Sequence, residues 1–129
     1  MSQTISWKFQ AQIPGGPSLA IAHALSVDAY EQTRVVISAG AEDEEVTLAS
    51  GATLLVVSAS SYADSDPTHI LTFKVNNAGD PQEFVHALVL VGELAVSRFA
   101  GAALTSLSFS NPFATPVTVD ILTARDATP

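Results

Sequence analysis

The stretch TISWKFQAQI, residues 4–13, alternates apolar and polar side chains without interruption. Ile5, Trp7 and Phe9 share one face of this pattern, and the residues between them are polar. Successive side chains of a strand point to opposite faces, so a period of two over this length predicts a half-buried β-strand. After the turn sequence PGGP, residues 19–27 continue the same period, which predicts a second strand.

Short apolar or alternating runs, each bounded by turn residues, recur along the rest of the chain. They lie at residues 33–39, 46–48, 53–59, 69–76, 83–91, 94–99, 104–110 and 116–124. No amphipathic helix pattern alternates with them, as a parallel sheet would require. The sequence therefore predicts an all-β fold of 8 to 10 strands in a single domain over residues 1–129. The expected architecture is an antiparallel two-layer β-sandwich, jelly-roll or immunoglobulin-like.

The charge balance narrows the classes of partner. The chain has 129 residues, with 13 Asp and Glu against 5 Lys and Arg, and a net charge of −8. Affinity for nucleic acid and for anionic lipid rests on clustered cations, so we expect neither a nucleic-acid partner nor a membrane partner. Because the chain has no cysteine, a disulfide framework, a thiolate nucleophile and a cysteine zinc site are excluded. We predict no cofactor.

Targeting signals are not evident in the sequence. Residues 1–8 lack a basic segment followed by an apolar one, so no secretory signal peptide is predicted. The uncharged windows 46–63 and 99–119 contain glycine, serine and threonine, so neither predicts a membrane-spanning helix. The compartment stays open, with the cytoplasm or a virion as the expectation.

Two predicted strands are apolar on both faces, although a sheet face in contact with water is normally polar. These strands are residues 53–59 and 83–91. Their second face requires a cover, which a loop, an internal ligand or another subunit could provide. With only 14% charged residues, another subunit is the simplest cover. We predict a homo-oligomer whose interface contains Phe84, Val85, His86, Leu88 and Val89.

One loop carries a possible metal site. Asp64 and Asp66 are two residues apart, and His69 follows them. Two carboxylates could hold a hard cation, and the imidazole would favour zinc or manganese. The same residues also fit ordinary turn chemistry, in which an Asp side chain caps backbone amides. Both interpretations remain open, and a metal-binding protein is the third candidate function.

Three aromatic residues fall in or near loops, where a sugar-binding or small-ligand site is commonly built. They are Tyr30, Tyr62 and Phe113. A groove lined by these rings would make the chain a carbohydrate- or small-ligand-binding module, with a glycan as a possible partner. The alternative is ordinary packing of the rings at an edge or on the surface.

Enzyme motifs are not found in the chain. It has no G-x-S-x-G elbow, H-E-x-x-H pair, P-loop or G-x-G-x-x-G sequence. The acidic run 42–45 predicts a solvated loop. Arg98 and Asp120 each lie within a predicted strand, and an ion pair between them is a further hypothesis. We therefore predict that the chain is not an enzyme.

The C-terminal region pairs a strand ending in Asn111 with a strand of V-x-V-x-I type. The segments are residues 104–111, LTSLSFSN, and residues 117–122, VTVDIL. This hairpin resembles one found in small β-sandwich structural proteins of bacteriophage particles and tails. The resemblance covers a small part of the chain and implies an assembly role without catalysis. Our leading prediction is a non-catalytic structural module that self-assembles, as in a particle or virion.

Overall fold

The structure is a computed structural model that describes residues 3–49, 51–101 and 103–125, without the side chains at positions 3, 23 and 25. The described residues form ten strands and one helix, which confirms the all-β prediction. The first strands are β1 (Gln3–Gln12), β2 (Ser18–Val27), β3 (Ala29–Ile37), β4 (Glu44–Thr47) and β5 (Ala52–Ala59). They are followed by β6 (Thr72–Val75), β7 (Ala78–Glu83), β8 (Leu88–Val91), α1 (Glu93–Ala100), β9 (Ser106–Ser110) and β10 (Val117–Arg125). No described helix is long and apolar enough to span a membrane.

Eight of these strands form two four-stranded antiparallel sheets that pack against each other. The first sheet has the order β3–β10–β5–β8, and the second has the order β4–β9–β6–β7. Between β3 and β6 the chain changes sheet at every connection, and it changes again after β7, β8 and β9. The remaining strands, β1 and β2, pair only with each other among the described strands and form a separate hairpin.

The core lies between the two sheets, and the alternation of β10 shows how the sequence builds it. Val117, Val119 and Ile121 are buried, while Thr118 and Asp120 between them are partly exposed. Inward side chains of β3, β5 and β9 join the same cluster, although the β9 residues from Ser106 to Phe109 are all buried. Its most deeply buried members include Ile37, Leu55, Leu71, Leu107, Phe109, Val117, Val119 and Ile121.

Residues 94–99, predicted as a strand, are helical, so this prediction was wrong. Gly92 precedes α1, and Gly101 ends it in the left-handed conformation, with φ of 69° and its N–H bonded to the Ser97 carbonyl. Val96 is buried, and Phe99 and Ala100 pack against the same core, a spacing of three and four that fits one helix face. The helix packs against β5 and β8.

Residues 83–91, predicted as one strand, are divided between the two sheets. Glu83 ends β7 in the second sheet, and Leu88 begins β8 in the first. Before β7 the chain turns through Asn76 and Asn77, whose φ angles of 54° and 52° are those of a two-residue type I′ hairpin turn. The sequence NAGDP at residues 77–81 predicts a turn, but residues 78–81 lie in β7, a strand that contains Pro81 and forms an edge of its sheet.

Candidate assembly surface

Residues 3–27 form a hairpin that we call the arm, consisting of β1, β2 and the turn between them. The register pairs Gln3 with Val27 at its base and Gln12 with Ser18 at its tip. In the turn, Gly15 adopts a φ of 73°, a conformation that glycine reaches without a steric penalty. The Ile13 N–H donates to the Pro17 carbonyl at 3.1 Å, which closes the hairpin.

One face of the arm is apolar and exposed. The register places Phe9 opposite Ile21 and Ala11 opposite Leu19, all with the parity of Trp7. Phe9 is 53% exposed, Leu19 55% and Ile21 37%, and every described side chain from residue 8 to residue 22 is exposed. The prediction that this face is half-buried is therefore wrong beyond the base of the arm. A two-stranded ribbon is only marginally stable in water by itself. An exposed apolar face on such a ribbon is therefore unusual for a chain that does not associate.

The base of the arm, in contrast, packs on the sandwich. Ile5 and Val27 cover Leu54 and Ala124, both on the outer face of the first sheet, with Val56, Val91 and Leu122 partly buried around them. The Asp28 N–H donates to the Arg125 carbonyl at 3.0 Å and fixes the connection between arm and sandwich. Part of the second apolar face of β5 and β8 is thus covered by a β-hairpin of the same chain, and not by the loop, ligand or subunit that the sequence suggested.

Beyond the base of the arm, the outer face of this sheet is mixed. Val36 is 56% exposed and Val89 is 52% exposed. On the strand of Val36, Arg34 donates from Nε to Asp120 Oδ1 at 2.7 Å, and these two residues are register partners on β3 and β10. The hypothesis that Asp120 pairs with Arg98 across strands is therefore wrong, because residue 98 lies on α1, whereas a pairing across subunits stays a prediction.

The five residues predicted for an oligomer interface do not share one surface. Phe84 is 2% exposed and packs edge-to-face on Tyr62 and Phe73 inside the core, so its assignment to an interface was wrong. Leu88 is half-buried against the same core. Val85, His86 and Val89 are exposed, and their role at an interface stays a prediction.

The three aromatics predicted to bind a ligand are likewise separated. Phe113 is buried, and Tyr62 packs on Phe84 while its hydroxyl accepts a hydrogen bond from the Ala59 N–H at 2.9 Å. Only Tyr30 of the three is exposed, beside a pocket of about 40 Å³, which is far below the volume of a typical ligand site. A site built on these three rings is therefore not formed, because two of the rings stabilise the fold.

Asp64, Asp66 and His69 lie close together. The two carboxylates lie beside different nitrogens of the imidazole ring, so the three side chains do not converge on one point. His69 Nδ1 lies 2.8 Å from Asp64 Oδ2, and His69 Nε2 lies 3.5 Å from Asp66 Oδ2. The same carboxylates accept the N–H groups of Asp66 and Thr68, as in the predicted turn chemistry. Within the described residues, no group of three or more His, Asp or Glu side chains is placed to hold a metal ion.

This cluster shifts the pKa of each member. The hydrogen bond to Asp64 raises the pKa of His69 above its ordinary 6.5. The hydrogen bond to His69 lowers the pKa of Asp64 below its ordinary 3.8, and the side-chain hydrogen bond from Thr68 lowers the pKa of Asp66. The histidine contribution to stability is complete below pH 6.5 and is lost as the pH rises through the raised value. The carboxylate contributions are present above pH 3.8 and are lost as the pH falls through the lowered values.

We therefore expect the cluster to stabilise the fold most between pH 3.8 and pH 6.5. Titration of the His69 ring protons by NMR should give a midpoint above 6.5. The variant Asp64→Asn should lower that midpoint, because it removes the carboxylate on Nδ1. A midpoint that does not change in this variant would contradict the assignment of the raised pKa to Asp64.

Charge separates the arm from the rest of the molecule. All 13 Asp and Glu residues follow Val27 in the sequence, and Lys8 is the only Lys or Arg in residues 1–27. Lys8 pairs in register with Ala22 on the face opposite to Phe9. The apolar face of the arm therefore carries no Lys, Arg, Asp or Glu. Sequence reasoning did not use this partition, although it is visible in the sequence and marks the arm as a distinct segment.

Comparison with known protein families, with curated proteins and with solved structures finds no match for this chain.

Proposed function

We propose that this chain is a non-catalytic structural module that assembles with copies of itself. The observation that carries the proposal is the exposed apolar face of the arm, which the described residues cover only at the base. Exposed apolar surface of this kind marks interaction sites, and a second copy of the same chain is the commonest partner. The low proportion of charged residues, 14%, leaves little surface repulsion to oppose association.

We further propose that the sandwich is a jelly roll. The support is the strand order β3–β10–β5–β8 and β4–β9–β6–β7, in which eight antiparallel strands divide into two sheets of four. Jelly rolls occur in viral capsids, in lectins and in cupins, so the fold is compatible with a particle component but does not select it. Strands β9 and β10 lie in different sheets, so residues 104–122 do not form the predicted hairpin. The remaining support for a particle is the sequence resemblance of these residues to bacteriophage structural proteins.

Neither of the other two candidate functions, ligand binding and metal binding, is supported by a site among the described residues. The aromatic rings predicted for a glycan are mostly in the core, and the Asp64, Asp66 and His69 side chains bind one another. Assembly therefore stands as the proposed function, with a second copy of the chain as the partner.

Sedimentation velocity over a concentration series tests assembly directly. We expect the weight-average mass of the full chain to rise above 13.4 kDa as the concentration increases through about 1–100 μM, the range typical of weak and transient interfaces. Light scattering after size exclusion provides an independent mass. A mass that stays at 13.4 kDa over the whole series would contradict the proposal.

A further inference from the structure

The exposed apolar face of the arm has a length and composition that fit a second arm better than they fit the sandwich. Strand β1 has 10 residues, so the arm is roughly 33 Å long at about 3.3 Å per residue. On the outer face of the first sheet, the exposed apolar residues Val36 and Val89 are separated by the ion pair of Arg34 and Asp120. Docking a long apolar ribbon there would cover two charged groups with hydrocarbon, which is costly.

We propose that two copies of this chain pair through their arms, apolar face against apolar face. This inference rests on the proposed assembly function and names the surface that performs it. Two such ribbons pack like the two layers of a β-sandwich, about 10 Å apart, with their side chains interdigitated. The contact is isologous, because the same patch of each copy meets itself across a two-fold axis.

The distribution of charge supports this pairing. The face that becomes buried has no Lys, Arg, Asp or Glu, and Lys8 stays in water on the opposite face. The acidic residues are all in the rest of the chain, so an antiparallel arrangement of the arms keeps the two acidic sandwiches at opposite ends. The centre of the exposed run then brings Ala11 close to Ala11 of the second copy.

The exposed area fits a weak, reversible dimer. The large exposed side chains on this face are Phe9, Ile13, Leu19 and Ile21, with exposures of 53%, 61%, 55% and 37%. At roughly 200 Å² for a fully exposed large apolar side chain, each arm would bury about 400 Å². Two arms would bury about 800 Å² in total, which is below the roughly 1,000 Å² of a stable specific interface and in the range of a transient one. Weak association in the micromolar range is therefore expected.

A pair of glutamate variants tests which face of the arm forms the contact between copies. Phe9→Glu places a carboxylate on the apolar face, and Gln10→Glu places the same charge on the opposite face of the same strand. We expect Phe9→Glu to raise the dissociation constant at least about tenfold, as loss of a central aromatic does, and Gln10→Glu to change it less than about threefold. Both residues are exposed and distant from the core, so the thermal unfolding of the sandwich should stay unchanged.

Cysteine scanning then identifies what the arm contacts. The chain has no cysteine, so a single introduced thiol can be cross-linked only to another copy. Ala11→Cys lies on the apolar face and Ala22→Cys lies on the face of Lys8, and both alanines are exposed. Ribbons packed about 10 Å apart are too distant for a direct disulfide, so the probe is a bis-maleimide with a spacer of about 10 Å. We expect it to convert Ala11→Cys rapidly to a covalent dimer, and Ala22→Cys at least about tenfold more slowly, because the Ala22 positions lie on the outer faces of the paired arms.

The outcomes separate this inference from the assembly proposal. If the chain is oligomeric but Ala11→Cys does not cross-link faster than Ala22→Cys, arm pairing is wrong and assembly stands. A cross-link by the same reagent between Ala11→Cys and Val89→Cys in a mixture, without an Ala11→Cys homodimer, would show that the arm docks on the sandwich and would also overturn arm pairing. If wild-type chain is monomeric at every concentration, both proposals fail.

Discussion

Replacing Phe84 with alanine should lower the free energy of unfolding by about 3–5 kcal/mol, the loss typical of a buried phenylalanine. The ring is 2% exposed and lies 5.2 Å from Tyr62 and 5.7 Å from Phe73, centroid to centroid, in edge-to-face contacts. Its removal leaves a cavity between the sheets and deprives both neighbouring rings of a packing partner. Urea denaturation monitored by circular dichroism would measure the change.

The neighbouring residue provides a matched control. Val85 is 50% exposed, so Val85→Ala should change the free energy of unfolding by less than about 0.5 kcal/mol. The two variants also test whether Phe84 lies in the core or at an interface. If Phe84→Ala weakened association while leaving the unfolding of the monomer unchanged, its placement in the core would be wrong.

Asn111→Ala should be the second strongly destabilising substitution, with a loss of about 2–4 kcal/mol, because it leaves several buried backbone groups without partners. The Asn111 side chain is buried, and its Nδ2 donates to the carbonyls of Ile37 and Thr115, both at 3.0 Å. Its Oδ1 accepts the Phe113 N–H at 2.9 Å. One amide thus holds the loop before β10 to the end of β3.

Asn111→Asp tests whether the amide donors cause the effect. Aspartate keeps the acceptor for the Phe113 N–H and nearly the same volume, but it directs a second oxygen at the carbonyls of Ile37 and Thr115. We expect it to destabilise the fold at least as strongly as alanine does. The exposed amide of Gln32 serves as a control, and Gln32→Ala should remain within about 0.5 kcal/mol of wild type. A loss below about 1 kcal/mol in both Asn111 variants would contradict this role.

The alternation of apolar residues predicted most of the strands because it reports directly on which side chains share a face. It failed for residues 94–99, where the spacing of Leu94 and Val96 fits a strand, whereas the spacing of Val96 and Phe99 fits a helix. Gly92 and Gly101, which bound α1, were the available signal. It also failed for residues 83–91, because a run with apolar residues on both faces does not mark the point where the chain leaves one sheet for the other.

The candidate site was less predictable, because alternation says which residues share a face but not what covers that face. The pattern of residues 4–13 is that of a half-buried strand, yet among the described strands β1 pairs only with β2, and described residues of the sandwich cover its apolar face only at the base. The residues that a side chain faces depend on the register of its strand, which the sequence alone does not specify. Asp120, for example, faces Arg34 across β10 and β3. The loop of Asp64, Asp66 and His69 was predictable as a cluster, since its members are adjacent in the sequence.

Strand β7 bears on the way in which copies of this chain can associate. It forms one border of the second sheet, and every residue from Ala78 to Glu83 is exposed. Pro81 has no N–H to donate, and Gly79 has a φ of 77°, which an extended ladder does not accommodate. An incoming strand would find an interrupted row of donors, so growth of a continuous intermolecular sheet, the route to fibrils, is disfavoured at this border.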